Sequence, residues 1–286
     1  MKLGLIGVGL IGGSAAAAWR AGGIRQVIGY DRDAQALRRA HAHGLIDTVA
    51  ASAAEVARAA DLVLLAVPVL ALPEVLREIA PALPAQTLVT DVGSTKVSVI
   101  EAARAALGAA FARFVPAHPI AGRELPGVDH ADPQLFAGKL VITTPVAETD
   151  RAACARVEHL WISAGARIVP MDPHEHDRVF AAVSHLPHLL AFALVAAIAA
   201  EPDGAHKLGF AGAGFRDFTR IAASSPEVWR DICIANRTAL SAELRRYRAL
   251  LDHLQAAVDG ADAPLLERTF AAAAAARRQL TTWEGE

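Results

Sequence analysis

The sequence predicts an α/β fold, in which a doubly wound parallel sheet is followed by an all-helical C-terminal domain. Three observations support this prediction: strand-like and helix-like segments alternate over the first 100 residues, a glycine-rich turn follows the first strand, and strand signals end after Pro170. A chain of 286 residues also has room for about two domains. We therefore expect a sheet domain at 1–170 and a helical domain at 171–286.

The strand-like segments of the first part are short apolar runs, and the segments between them have helical composition. The predicted strands are Lys2–Ile6, Gln26–Tyr30, Leu62–Val67 and Thr87–Val92. The predicted helices are Gly12–Ala21, Asp33–His43, Leu72–Ile79 and Lys96–Ala106, with Asp33 as an N-cap. Leu62–Val67 is apolar throughout, which is typical of a strand buried on both faces of a parallel sheet.

Strand signals are sparser further along the chain. The remaining predicted strands are Phe114–Ala117, Leu140–Thr144 and Arg167–Val169, with a helix at Asp150–Ser163. From His174 to Arg278 we expect only helices, with breaks near Pro202–Gly204, Gly209–Gly214 and Gly260–Pro264.

The composition excludes several classes of protein. A formal charge of −2 gives no sign of nucleic-acid binding, and 53% hydrophobic residues exclude a disordered chain. The two cysteines, Cys154 and Cys233, cannot form a disulfide framework, so we expect a reduced, cytoplasmic protein.

Two apolar segments raise the alternatives of secretion and membrane insertion. Met1–Ala18 has the outline of a signal peptide, but its glycines interrupt a helical apolar region and the same residues fit strand, turn and helix. Leu186–Ala200 is interrupted by Pro187 and is shorter than the ~20 residues of a membrane span. We therefore expect no membrane segment.

The first turn predicts a dinucleotide site, and thus a Rossmann-like sheet. Gly7-Val8-Gly9-Leu10-Ile11-Gly12 fits the pattern G-x-G-x-x-G, with Gly7 for the tight turn, Gly9 for close approach of a pyrophosphate and Gly12 for close packing of helix on strand. The helix that starts there offers free N–H groups to phosphate. A glycine-rich turn without a ligand is the alternative.

Asp31 favours NAD over NADP as the cofactor. It ends the second strand, where a carboxylate accepts hydrogen bonds from the adenosine ribose hydroxyls and repels a 2′-phosphate. Arg32 is adjacent and could reach such a phosphate, so NADP stays open as the weaker alternative.

Ser94 and His118 are candidates for the chemistry. Both follow predicted strands, and the carboxyl ends of parallel strands face the ligand crevice. A histidine with an ordinary pKa near 6.5 suits proton abstraction at neutral pH. The alternatives are a structural histidine and, for Ser94, a helix N-cap ahead of Lys96–Ala106.

Histidines are concentrated between His118 and His188, so a metal site has to be considered. The segment has no H-E-x-x-H or compact H-x-x-x-H spacing with a third ligand. We therefore expect no metal.

Several segments together resemble the prephenate dehydrogenase and arogenate dehydrogenase family, in its monofunctional form. They are HPIAG at 118–122, FAGK at 136–139, SHLPH at 184–188, DFTRIA at 217–222, Ser225-Pro226 and Trp229. The resemblance extends from Gly7 to about residue 231 and implies a dinucleotide-binding domain followed by a helical domain that binds substrate and dimerises. It leads us to expect neither a fused mutase nor a regulatory domain in a chain of this length.

The resemblance implies NAD-dependent oxidative decarboxylation of prephenate to 4-hydroxyphenylpyruvate in tyrosine biosynthesis, or of arogenate to tyrosine. It makes His118 the base at the C4 hydroxyl, with Ser94 orienting it near the nicotinamide. Arg220 is then the ligand of a substrate carboxylate. In the same way, His188 positions the substrate, Glu124 gates the pocket and Trp229 lines it.

Each of these roles has a plainer alternative. Arg220 could be a surface arginine, His188 a structural partner at a helix start and Trp229 an interface aromatic residue. Ala213 departs from the more glycine-rich run of related sequences, which leaves the choice between prephenate and arogenate open.

Leu186–Ala200 is apolar almost all round, which is typical of a buried helix, so we expect a homodimer through the helical domain. Two other functions are weighed against this one. The first is another two-domain NAD(P)-dependent dehydrogenase, of the β-hydroxyacid or imine reductase type. The second is a nicotinamide-sensing protein without turnover.

Overall fold

The computed structural model describes residues 1–122 and 127–280. The chain forms two compact units, Met1–Arg237 and Thr238–Glu286. The boundary expected near residue 170 lies inside the first unit and stays a prediction.

A parallel sheet forms the centre of the first unit, and within the described residues it has six strands in the order β3-β2-β1-β4-β5-β6. Its strands are β1 (Lys2–Ile6), β2 (Gln26–Tyr30), β3 (Thr48–Val49), β4 (Leu62–Leu65), β5 (Leu88–Asp91) and β6 (Phe114–Val115). This is the strand order of doubly wound dinucleotide-binding sheets, so the predicted fold class is confirmed.

Helices connect these strands and cover both faces of the sheet. They are α1 (Leu10–Trp19), α2 (Ala34–Ala42), α3 (Ala53–Ala59), α4 (Leu72–Ile79) and α5 (Val97–Leu107). The predicted cap of α2 is confirmed, since the Asp33 carboxylate accepts a hydrogen bond from the Gln35 amide at 2.7 Å.

The apolar character of β4 follows from burial on two faces. Leu62 and Leu64 belong to one hydrophobic cluster, and Val63 and Leu65 to another on the opposite face. Successive side chains of a strand point to opposite faces, so a strand between two helical layers needs apolar residues at every position.

A smaller sheet follows in the order β7 (Ala117–Pro119), β8 (Leu140–Thr143) and β9 (Arg167–Pro170), with α6 (Arg151–Ser163) between the last two. β7 and β8 are antiparallel, and β8 and β9 are parallel. The single strand expected at Phe114–Ala117 is wrong, because the chain changes sheets at Pro116. Proline has no N–H to donate to a strand ladder, and this separates the two strands.

After β9, the first unit is helical. Its helices are α7 (Pro173–Phe180), α8 (Leu186–Ala199), α9 (Gly204–Gly209), α10 (Ala213–Thr219) and α11 (Pro226–Ala235). A π-helical turn at Ala181–His185 joins α7 to α8.

The expected interruption at Pro187 is wrong, because residues 173–199 form one continuous helix. Pro187 lies in the first turn of α8, directly after the π-helical turn, where regular i to i−4 bonding is already broken. With a mean hydropathy of 1.9, this helix is long and apolar enough to cross a membrane. Apolar helices buried in cores and interfaces have the same composition.

The second unit contains most of α12 (Arg237–Asp259) and all of α13 (Ala263–Arg278). The turn between them uses a positive φ of 52° at Ala261, and the Asp262 carboxylate caps α13 by accepting from the Leu265 amide. Leu250, Val258 and other apolar side chains of this unit are exposed.

Candidate functional site

A cavity of about 670 Å³ lies in the first unit, beyond the carboxyl ends of β1, β4 and β5. The strand order reverses between β1 and β4, and this is where open α/β sheets bind ligands. The described lining comes from the segments 9–11, 66–69, 92–94, 118–122, 183–188, 220–221 and 224–232, with Gly127 and Phe180.

The glycine-rich loop fits a dinucleotide pyrophosphate. Gly7 has a φ of +95°, and a Cβ there would lie 2.3 Å from the Ala66 carbonyl oxygen. A Cβ on Gly12 would lie 2.2 Å from the Gly7 oxygen, whereas one on Gly9 would meet open space. Gly9 lines the cavity and precedes α1 without a side-chain cap. The amides of the first turn of α1 are therefore available to an anion.

Asp31 is fixed beside this loop, directly after β2. One carboxylate oxygen accepts from the Val8 amide and the other from the Asp33 amide, both at 2.8 Å. Each oxygen keeps a further lone pair, which suits hydrogen bonds from two ribose hydroxyls. Arg32 beside it forms an exposed ion pair with Glu227 at 2.7 Å.

His118 lies on β7 across the cavity and is 9% exposed. Burial lowers the pKa of this imidazole well below its usual value, and the nearby His176 and the positive Lys96 lower it further. His118 is therefore neutral at neutral pH, as a base must be.

A hydrogen-bonded chain backs His118 on the side away from the cavity. Its Nδ1 lies 2.9 Å from Nε2 of His176, and Nδ1 of His176 lies 2.8 Å from an Asp177 carboxylate oxygen. Asp177 also accepts from the amides of Lys96 and Val97 at the start of α5. The chain thus connects α7 to both β7 and α5.

Ser94 lines the same cavity, in the segment between β5 and α5. Within residues 1–122 and 127–280, no hydrogen bond joins it to His118; the bonded nitrogen of that ring is held by His176. The alternative of an N-cap is wrong, because the first amides of α5 are bonded by Asp177.

A flat aromatic wall lies on the helical side of the cavity. The imidazole of His188 stacks on the indole of Trp229, with ring centroids 3.5 Å apart and an interplanar angle of 16°. His188 Nδ1 donates to the Ser184 carbonyl at 3.0 Å, so the tautomer of the neutral ring leaves Nε2 as an acceptor. Burial lowers the pKa of His188 and favours this neutral form.

The structure brings most of the predicted site residues together. The described lining includes Gly9, Leu10, Ile11, Ser94, His118, His188, Arg220 and Trp229. Gly7, Gly12 and Asp31 lie directly behind it and shape the loop. Glu124 lies outside the described residues, and Ala213 is not part of the described lining.

Clusters of three or more His, Cys, Asp or Glu side chains that could hold a metal ion do not occur in the described parts of the chain.

Two family models match consecutive parts of the chain. Residues 15–170 match the nucleotide-binding domain of prephenate dehydrogenase, and residues 172–272 match its dimerization domain. The chain belongs to the prephenate dehydrogenase family. The expected family membership is thereby confirmed.

Individual relatives agree with this assignment. The cyclohexadienyl dehydrogenase of Zymomonas mobilis is 38% identical over 97% of this chain and 95% of its own length. The prephenate dehydrogenase of Aquifex aeolicus, solved in complex with hydroxyphenyl propionate and NAD+, is 35% identical, with a TM-score of 0.88 over 97% of this chain and 98% of its own. The arogenate dehydrogenase of Synechocystis is 31% identical, with a TM-score of 0.79 over 98% and 99% of the two chains.

The rival enzyme class resembles the chain in fold alone. The 3-hydroxyisobutyrate dehydrogenases of Mycobacterium tuberculosis and Salmonella typhimurium are 18% and 19% identical, with TM-scores of 0.52 and 0.56. Membership of the prephenate dehydrogenase family therefore disfavours a β-hydroxyacid dehydrogenase.

The buried residues that support the cavity-lining side chains were not predicted from the sequence. His176 belongs to the histidine-rich segment that was considered only for metal binding, and Asp177, Lys96 and Asp91 were given no role. One signal was available: charged residues in apolar surroundings need partners, and Asp91 and Lys96 flank Ser94 closely in sequence.

Proposed function

We propose that this protein catalyses the NAD-dependent oxidative decarboxylation of prephenate to 4-hydroxyphenylpyruvate, a step of tyrosine biosynthesis. The observation that carries the proposal is the neutral, buried His118, which faces a cavity between a dinucleotide loop and Arg220. Family membership and the NAD+ complex of the Aquifex relative support the reaction and the cofactor.

His118 acts as the general base. Its cavity-facing nitrogen accepts the proton of the C4 hydroxyl as the C4–H electron pair leaves and the C4 oxygen becomes a carbonyl. Loss of the C1 carboxylate as carbon dioxide moves the electron pair of the broken C–C bond through the ring to the C4 oxygen. That oxygen takes the proton back from His118, so the ring becomes a phenol and His118 is neutral again. Bound NAD supplies the acceptor for the hydride.

Arg220 binds a substrate carboxylate. The described lining of the cavity contains no other Arg or Lys, and a guanidinium matches a carboxylate with two parallel hydrogen bonds. The stacked pair of His188 and Trp229 forms a flat wall for the substrate ring. Ser94, which lines the same cavity, would lie beside the nicotinamide of bound NAD, and Glu124 gates the pocket.

Prephenate is favoured over arogenate as the substrate. The two differ in the side chain, which carries a ketone in prephenate and an ammonium group in arogenate. The relative solved with hydroxyphenyl propionate and NAD+ is a prephenate dehydrogenase, which supports prephenate as the first candidate. Arogenate remains the second candidate because a relative that covers nearly the whole chain is an arogenate dehydrogenase.

NAD is favoured over NADP. The Asp31 carboxylate lies at the loop that would hold the adenosine ribose, where it repels a 2′-phosphate. Arg32, the group that could offset this repulsion, is paired with Glu227.

The protein acts as a cytoplasmic homodimer that pairs through the helical domain at 171–286, next to a dinucleotide-binding domain at 1–170. The match of residues 172–272 to a dimerization domain supports this assembly. So does the apolar α8, in which only Leu186 and Ala191 are buried. Large exposed apolar surfaces mark contacts with another protein or with a membrane, and a second subunit would cover this one. Light scattering at micromolar concentration tests this part: a dimer is expected, and a monomer contradicts it.

A paired steady-state comparison tests the proposed function. The purified chain is assayed with prephenate and with arogenate, each with NAD and with NADP. We expect the highest kcat/KM for prephenate with NAD. Turnover of neither substrate with either cofactor rejects the proposal, and a higher kcat/KM for arogenate reassigns the substrate.

A further inference from the structure

His118, His176 and Asp177 form a linear hydrogen-bonded chain that begins at the cavity and ends at the start of α5. We propose that His176 is a positioning residue, oriented by Asp177, which holds His118 in the one tautomer that presents an unprotonated Nε2 to the substrate. This inference rests on the proposed function, because it explains how the base of that reaction is kept ready.

Asp177 determines which atom donates in each of these hydrogen bonds. Burial raises the pKa of this carboxyl, but hydrogen bonds from His176 and from the Lys96 and Val97 amides outweigh burial and hold the pKa below its usual value. Asp177 is therefore a carboxylate, which can only accept hydrogen bonds. Nδ1 of His176 must then carry the proton of the 2.8 Å bond.

The tautomer of His176 in turn determines the tautomer of His118. Burial lowers the pKa of this fully enclosed imidazole, so the ring is neutral and carries one proton. That proton lies on Nδ1, which leaves Nε2 as an acceptor. His118 Nδ1 must therefore donate across the 2.9 Å bond, and the lone pair of His118 Nε2 is left for the substrate.

The opposite tautomer could not act as a base. With the proton on Nε2, His118 would present an N–H to a hydroxyl that has a proton to lose. Its Nδ1 would face the Nε2 lone pair of His176 without a hydrogen between them, and each buried lone pair would lose its partner. In other enzymes, loss of the carboxylate that fixes a histidine tautomer greatly lowers kcat with little change in geometry.

Packing keeps both rings in place. The ring of Phe180, one turn along α7, contacts both imidazoles, with centroids 5.0 Å from His118 and 4.5 Å from His176. The charged and titratable groups around the pair are Lys96, Asp91, Asp177 and His185. Lys96 and His185 disfavour a positive His118, whereas Asp177 acts on His176, the ring between Asp177 and His118.

The test compares two substitutions at His176. In His176→Gln, the side-chain carbonyl can still accept from His118 Nδ1; in His176→Leu, nothing accepts. We expect His176→Leu to lower kcat by a factor on the order of 10² or more, with little change in KM, and His176→Gln to recover part of that loss. The kcat/KM pH profile of the Leu variant should also change its acid limb. His174→Gln, an exposed change on the same helix, should leave all three quantities unchanged.

A second measurement does not depend on turnover. In 15N-histidine NMR of the wild-type protein, His118 should be neutral and protonated on Nδ1. A proton on Nε2 of His118 overturns the inference, and so does wild-type kcat in a folded His176→Leu variant. If His118 shows the expected tautomer but no substrate is turned over, the proposed function fails and the positioning role stands.

Discussion

The ammonium nitrogen of Lys96 lies 2.5 Å from a carboxylate oxygen of Asp91, and neither side chain has any solvent-exposed surface. Lys96 also donates to the Ala117 carbonyl, and Asp91 accepts from the amides of Gly93 and Ala117. This pair therefore fixes the end of β5 against the start of β7. Ser94 and His118 lie on the two segments that it joins.

Breaking this ion pair should strongly destabilise the protein. Asp91→Ala leaves a buried ammonium without a counterion, which costs about 3–5 kcal/mol in the free energy of unfolding. Denaturant titration measures the loss. The exposed pair of Arg104 and Glu148 supplies the control, because Glu148→Gln should cost no more than about 1 kcal/mol. Equal effects of the two substitutions would mean that Lys96 finds another partner.

Loss of the base should affect turnover and leave cofactor binding intact. His118→Ala should lower kcat by a factor of about 10²–10⁴, since a general base contributes that much to a rate. Steady-state kinetics measures kcat, and calorimetric titration measures the NAD dissociation constant. A larger change in the dissociation constant than in kcat would assign His118 to the cofactor instead.

Arg220→Ala should mainly raise KM for the substrate. A bidentate guanidinium–carboxylate contact contributes on the order of 1.5–3 kcal/mol, so its loss should raise KM by about 10- to 150-fold. The matched control is Arg216→Ala on α10, because Arg216 is not part of the described lining. An unchanged KM in Arg220→Ala would show that Arg220 does not bind the substrate carboxylate.

Glu227 should contribute to the exclusion of NADP. Its ion pair keeps Arg32 from a 2′-phosphate, and both side chains are exposed, so the expected effect is small. Glu227→Gln should tighten NADP binding by about two- to fivefold and leave NAD binding unchanged. Adding Arg32→Ala should abolish the gain. The dissociation constants of the two cofactors decide the matter, and an unaltered NADP constant speaks against this role.

The histidine cluster should make stability depend on pH. Burial lowers the pKa values of His118, His176, His185 and His188 in the folded protein, to about 4 for His185. The histidines of the unfolded chain take up protons near pH 6.5. The free energy of unfolding therefore has its full value above that pH and decreases as the pH falls below it. The melting temperature should therefore drop between about pH 7 and about pH 5. A constant melting temperature over this interval would contradict the buried, neutral state of these rings.

Elements with a strong local pattern could be predicted from the sequence. β1, β2 and α4 have the predicted bounds because each is an apolar or amphipathic segment between clear breaks. β3 and α3 were missed, since a two-residue exposed strand followed by a seven-residue helix carries little periodic signal.

The site likewise contains residues that could be predicted from the local sequence and residues that could not. The glycine loop could be recognised from its local spacing, and His118 from its position at the end of a predicted strand. The pairing of His118 with His176 joins residues 58 positions apart, and only the folded chain brings them together. The ion pair of Lys96 and Asp91 depends equally on complete burial, which no local pattern specifies.

The balance of products from prephenate shows whether the chain carries out an oxidative decarboxylation. The purified chain is incubated with NAD and prephenate, and the NADH formed and the carbon dioxide released are measured in the same sample. Oxidative decarboxylation predicts equal amounts of the two, with 4-hydroxyphenylpyruvate as the organic product. NADH without carbon dioxide, or no NADH at all, would rule out this reaction.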